Sequence, residues 1–193
     1  MSSPEEYTQS ERNAYVERSL IHAMKTHKVP GVSIAIIDQH SVVWSRAYGV
    51  LQAGGTTPAQ IDTLFQACSI SKAVTAVAIL RLVQAGSLEL DTDVNHYLRT
   101  WKIPAKDTWQ PNVTLRQLLS HTAGINVPWF YGYHRDQDIP SLVQILAGEK
   151  PANTPGIHVN LLPGTRFRYC GGGYCVLQQL LCDVQGQSFP DIM

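Results

Sequence analysis

No block of basic residues, no Cys-x-x-Cys pair and no long uncharged apolar stretch occurs in this 193-residue chain. Each absence closes a class of function. Lysine plus arginine and aspartate plus glutamate both number 15, so the formal net charge is zero, and nothing suggests a nucleic-acid partner. The four cysteines, Cys68, Cys170, Cys175 and Cys182, have no histidines at zinc-finger spacing. No His-Glu-x-x-His pair occurs either, so no metal and no cofactor is expected. The thiols read as small packed hydrophobes in a reducing compartment. The most apolar segment, 73–83, is interrupted by Thr75 and Arg81 and is too short to span a bilayer. The opening MSSPEEYTQSERNAYVERSL is polar and acidic, unlike a secretion signal or transit peptide. These features predict a cytoplasmic protein without a membrane span.

What is present is a globular pattern: 44% of residues are hydrophobic and 16% charged, too apolar for a disordered chain. Ser3-Pro4-Glu5-Glu6 predicts a helix start, and Val16, Leu20, Ala23, Met24 and His27 continue at helical spacing until Pro30-Gly31. VSIAII (32–37) and VVWSRAY (42–48), joined by Asp38-Gln39-His40-Ser41, predict a hairpin whose wholly apolar first strand should be central. A buried helix is expected over 69–85, closed by Gly86. Thr114 to Gln117 is a capping box, residues 141–147 a further short helix, and 174–186 a helix with one apolar stripe. Ser188-Phe189-Pro190-Asp191 then opens one more helix just before Met193, the pattern of a chain truncated at its C-terminus.

In QACSISKAVTAVAILRLVQAG (66–86), a lysine stands in the first turn of an apolar helix. A cation is disfavoured at a helix N-terminus, and burial adds to the penalty. Ser69 precedes Lys72 by three residues, a spacing that puts hydroxyl and amine on one face. A serine hydroxyl needs an adjacent base, and a lysine serves as one when burial and a positive helix end depress its pKa. The same helix end offers the Ser69 backbone N–H to an oxyanion. The tetrapeptide alone is weak, because Ser-x-x-Lys arises about once by chance in a chain this long. The plainer alternative is that Ser69 caps the helix and Lys72 snorkels to water.

Context separates the two. VPGVSIAII, VVWSRAYGV, FQACSISKAVTAVAILRLVQAGSLELDTDVNHYL, LRQLLSHTAGI and PGTRFRYCGGGYCVLQQLL occur in this order. On these residues the chain resembles the serine β-lactamase, penicillin-binding protein and related esterase family, nearest its class C-like branch. The resemblance implies an α+β, β-lactamase/transpeptidase-like fold, with residues 1–193 forming one domain that is incomplete at its C-terminal end. It implies that Ser69 is the acylated nucleophile, Lys72 its partner, and Tyr169 the phenol that bonds the serine and shuttles its proton. A small ester or amide, β-lactams included, is the implied substrate.

Departures from the family pattern matter too. Gly171, within Gly171-Gly172-Gly173, replaces a frequent asparagine and so removes an amide. Cys170 stands where serine is frequent and Cys68 precedes the nucleophile, so a disulfide or redox-sensitive pair is conceivable. The third family motif, Lys/His-x-Gly, does not occur as a strand motif, and His121 in LLSHTAG reads as a structural loop residue. With that motif go further strands and an oxyanion donor, typically a loss of about a hundred- to thousandfold in rate. Trp129, Phe130, Tyr131 and Tyr133 could line an acyl pocket or simply pack. The competing expectation is a truncated or degenerate member that binds ligand or a partner without turnover. Its unfinished sheet would leave an edge open to self-association.

Overall fold

The computed structural model describes residues 9–193, with side-chain surroundings from residue 14 onward. The expected helix start at Ser3-Pro4-Glu5-Glu6 lies outside the described residues. Two compact units divide the chain after Gln66.

In the first unit, helix α1 (Gln9–Thr26) leads to strands β1 (Gly31–Asp38) and β2 (Ser41–Gly49). The strands pair antiparallel from Gly31↔Gly49 to Asp38↔Ser41, with an irregularity between Ile36 and Ile37. Gln39 and His40 both adopt left-handed backbone, φ 44° and 63°. Two such residues make the primed turn whose twist matches a hairpin. Tyr48 on β2 donates its hydroxyl to Glu17 Oε1 of α1 at 3.1 Å. The expectation of a central first strand is corrected: among the described residues the sheet has two strands, and Ile36, Ile37, Val42 and Val43 are exposed. An apolar run signals a strand suited to burial on both faces, but it does not supply the neighbours.

The second unit, Ala67–Met193, is built on α5 (Gly171–Gln185). Around it lie α2 (Ser71–Gln84), α3 (Leu115–Leu119), α4 (Leu142–Ala147) and α6 (Phe189–Ile192). Val176, Leu177, Leu180 and Leu181 of α5 are fully buried. They fall at i, i+1, i+4 and i+5, one wide stripe, and each such burial contributes about 1.5–3 kcal/mol. Ile79, Leu118, Leu146, Ile125 and Ile157 converge on the same cluster. Helices α3 and α4 carry complete capping boxes, Thr114 with Gln117 and Ser141 with Gln144. Among the described residues no helix is long and apolar enough to cross a membrane.

Two helix readings need correction. Helix α2 is not buried all round. It turns Thr75 and Ile79 inward, while Val74, Val77 and Leu80 remain exposed. The unit's core covers one stripe of this helix, and uniform apolarity cannot say which stripe. Helix α5 starts at Gly171 rather than Tyr174, because its three glycines form a buried first turn.

Candidate active site

Ser69 lies in a short 3-10 turn, Cys68–Ile70, that runs directly into α2. Cys68 sits just before it with φ 46°, a conformation a non-glycine residue holds at a cost of about 1–3 kcal/mol. No side chain caps either the turn or α2, so the alternative in which Ser69 serves as a helix cap is not adopted. Its Oγ is instead 2.6 Å from the Tyr169 hydroxyl and receives a hydrogen bond from Lys72 Nζ at 3.3 Å. Lys72, one turn on, does not extend freely into water. Its ammonium lies 5.1 Å from the ring centre of Tyr169 and 5.4 Å from that of Tyr174. Two electron-rich ring faces offset the poor siting of a cation at a helix N-terminus. Ser69, Lys72 and Tyr169 are therefore brought together, across 100 positions of sequence between the two hydroxyls.

Tyr169 is held by its chain neighbours. Arg168 N donates to the His121 carbonyl at 2.8 Å, and Cys170 N donates to His121 Nδ1 at 3.1 Å. The His121 ring lies 4.6 Å from the Tyr169 ring, centre to centre, and 5.3 Å from that of Tyr174. The Lys72 ammonium and the Ser69 hydroxyl favour the phenolate and hold Tyr169 below the ordinary phenol range. Burial, seconded by the Lys72 charge, pushes the His121 imidazole down, so its neutral form is favoured. Burial pushes Tyr174 up.

Sequence reasoning missed two members of this group. Tyr174 was legible only as the start of a helical stripe, and His121 as a loop residue. The loop reading is incomplete: His121 has left-handed backbone, φ 59°, and its ring packs on the site.

The glycines at the start of α5 have a packing reason. A Cβ on Gly171 would lie 3.1 Å from the Pro128 carbonyl oxygen, and one on Gly172 would lie 2.7 Å from Ile157 Cδ1. Close approach lets Gly171 N donate to Pro128 O at 2.8 Å and Gly172 N to Val127 O at 3.0 Å. Gly173 N donates to the Cys170 sulfur, 3.3 Å away. Three first-turn donors that a helix leaves unpaired are thereby satisfied inside the protein. Cys170 is thus a buried cap. Burial raises its thiol pKa, and its Sγ donates to Asn126 O at 2.8 Å. All four cysteines are free, so Cys68 and Cys170 form no disulfide.

The aromatic cluster divides. Phe130 packs on the core, Tyr133 accepts the Asn153 N–H, and Trp129 and Tyr131 are exposed. No group of three His, Cys, Asp or Glu suited to a metal occurs among the described residues.

A hydroxyl, a phenol biased toward its anion and an ammonium on one oxygen make a constellation suited to nucleophilic attack on a carbonyl. Known proteins carry related chains. Penicillin-binding protein 4 of Amycolatopsis lactamdurans is 31% identical over 175 residues, covering 89% of this chain and 43% of that protein. Esterase EstB of Burkholderia gladioli is 35% identical over 104 residues, 53% of this chain and 26% of its own length. The octameric penicillin-binding protein homologue of Pyrococcus abyssi superposes with a TM-score of 0.72 at 28% identity, over 92% of this chain and 40% of that structure. The chain thus spans less than half the length of each. The family model described as Beta-lactamase matches residues 16–193, and the chain belongs to that family.

Proposed function

We propose that this chain carries the acylation centre of a serine hydrolase or acyltransferase acting on small esters or amides, β-lactams among them. The observation that carries the reading is the 2.6 Å contact between Ser69 Oγ and the Tyr169 hydroxyl, with Lys72 Nζ donating to the same serine oxygen. In the proposed step, ionised Tyr169 takes the Ser69 proton while Oγ bonds to the substrate carbonyl carbon. Collapse of the tetrahedral species breaks the ester or amide bond, and the leaving alcohol or amine takes the proton from Tyr169. Water or a second alcohol then attacks the acyl carbon, giving its proton to Tyr169; the Oγ–acyl bond breaks, Tyr169 returns the proton to Ser69 Oγ, and the acid or new ester leaves. The Lys72 charge favours the phenolate form that this step uses. Support for ester chemistry comes from the similarity to an esterase. Support for self-association comes from the hairpin's two strand edges, unpaired among the described residues, and from the octameric relative.

The test is intact-mass analysis after incubation with an activated acetate ester, para-nitrophenyl acetate. One acetyl adduct on the parent chain and none on Ser69→Ala is the expected result. No adduct on either would overturn the reading in favour of a member that binds without turnover.

A further inference from the structure

The residue that holds Tyr169 on both sides is His121. Its carbonyl takes the N–H of Arg168 and its Nδ1 takes the N–H of Cys170, at 2.8 and 3.1 Å. Tyr169 is the residue between them. Behind the phenol, the imidazole is tilted 35° to the Tyr169 ring at 4.6 Å and also meets the rings of Tyr174 and Phe167. An acceptor Nδ1 defines the tautomer: the proton sits on Nε2. Only a neutral imidazole can accept the Cys170 N–H, because a protonated ring has two donors and no acceptor.

Resting on the proposed function above, we propose that His121 is a positioning residue: neutral, it aligns Tyr169 with Ser69, and protonated, it releases Cys170 and uncouples the two hydroxyls. The titratable and charged groups around the imidazole are Lys72 of α2, Tyr169 on its own segment, and Cys170 and Tyr174 at the start of α5. Arg168 turns its guanidinium away, to the carbonyls of Gly124 and Ile125 and to Asn160 Oδ1. Among the described residues no carboxylate pairs with His121, so no anion offsets a second cation beside Lys72.

Two effects of protonation have opposite signs. A new positive charge near Tyr169 favours its phenolate and would promote attack. Loss of the acceptor leaves the Cys170 N–H unpaired beside a buried helix start and shifts the residue next to Tyr169. The partly exposed charge effect is screened, whereas an orphaned buried donor is not, so geometry wins. The expected consequence is a fall in Ser69 acylation by roughly tenfold or more as His121 protonates.

His121→Asn tests this cleanly. Asparagine tolerates left-handed backbone, and its Oδ1 stands where Nδ1 accepts, but it does not titrate. Acylation by para-nitrophenyl acetate, followed by mass across mildly acidic to neutral pH, should lose its histidine step in the variant while keeping the parent's neutral rate within a few-fold. The same acid-side step in both proteins would overturn the proposal. A second readout needs no acylation: ring-carbon NMR of labelled tyrosine, with Tyr169 assigned through Tyr169→Phe. In the parent, the Tyr169 signal should move together with the His121 titration. A Tyr169 signal blind to that titration overturns the positioning role. An unacylated chain whose Tyr169 still follows His121 overturns the proposed function alone.

Discussion

Removing the carboxylate of Asp183 should destabilise the helical unit strongly. Asp183 lies on α5 and is 9% exposed. Its Oδ2 accepts the backbone N–H of Arg99 at 2.8 Å and of Thr100 at 3.1 Å. Its Oδ1 accepts the Thr100 hydroxyl and the Gln179 amide. Burial alone would raise its pKa, but the Thr100 hydroxyl, the two backbone donors and Gln179 together outweigh it and hold the carboxyl below its ordinary range. Asp183→Ala strands four donors, two of them backbone groups with no other acceptor among the described residues, for a loss of about 3–5 kcal/mol. Asp183→Asn keeps one oxygen for the backbone pair. Its new amide can donate to the Thr100 oxygen but opposes the Gln179 amide unless that group flips, so its loss should be about 1–2 kcal/mol. Against the roughly 5–15 kcal/mol typical of a domain, the difference is easily measured. Urea unfolding followed by far-ultraviolet circular dichroism would give both values. Because the folded pKa is depressed, this stabilisation is present above the ordinary carboxylate pKa of about 3.9 and is lost as pH falls through the folded value. Parent and alanine curves should therefore converge in acid. An alanine variant within about 1 kcal/mol of the parent at neutral pH, or one no worse than asparagine, would refute the reasoning.

Two further outcomes follow from the site. Gly172→Ala forces a Cβ to within 2.7 Å of buried Ile157 Cδ1 and 3.1 Å of Asn126 O. A stability loss of about 1–3 kcal/mol is expected in the same urea assay, with slower Ser69 acylation because Tyr169 precedes this turn. Tyr169 should form its phenolate below the ordinary phenol pKa of about 10 in ultraviolet difference titration, and Lys72→Met should move that transition upward. A transition unmoved by Lys72→Met would mean that the ammonium is not what holds the phenol down.

Local rules were legible in the sequence wherever both partners lie within a few residues. Thr114 with Gln117 and Ser141 with Gln144 close their caps over three residues, and the hairpin turn needs only Gln39 and His40. Ser69 and Lys72 are partly of this kind: their spacing allows amine and hydroxyl to meet, but it equally allowed a capping serine and a solvated lysine, and the structure brings the two together beside Tyr169. Tyr169 was named through family resemblance, since no spacing rule joins positions 69 and 169. What only tertiary structure decided is everything that depends on which surfaces meet. Helix α2 has apolar residues on every side, and packing alone selected Thr75 and Ile79 for burial. Gly171 read as a missing amide; only the fold shows that it and Gly172 bring their N–H groups to the carbonyls of Pro128 and Val127. His121 bonds to the residues on either side of Tyr169 from a loop 48 positions earlier, as the numbering of the two residues gives. Sequence encodes the short-range geometry of a chain because backbone stereochemistry is local. The site arises from long-range closure, which packing energy sets and no local pattern records.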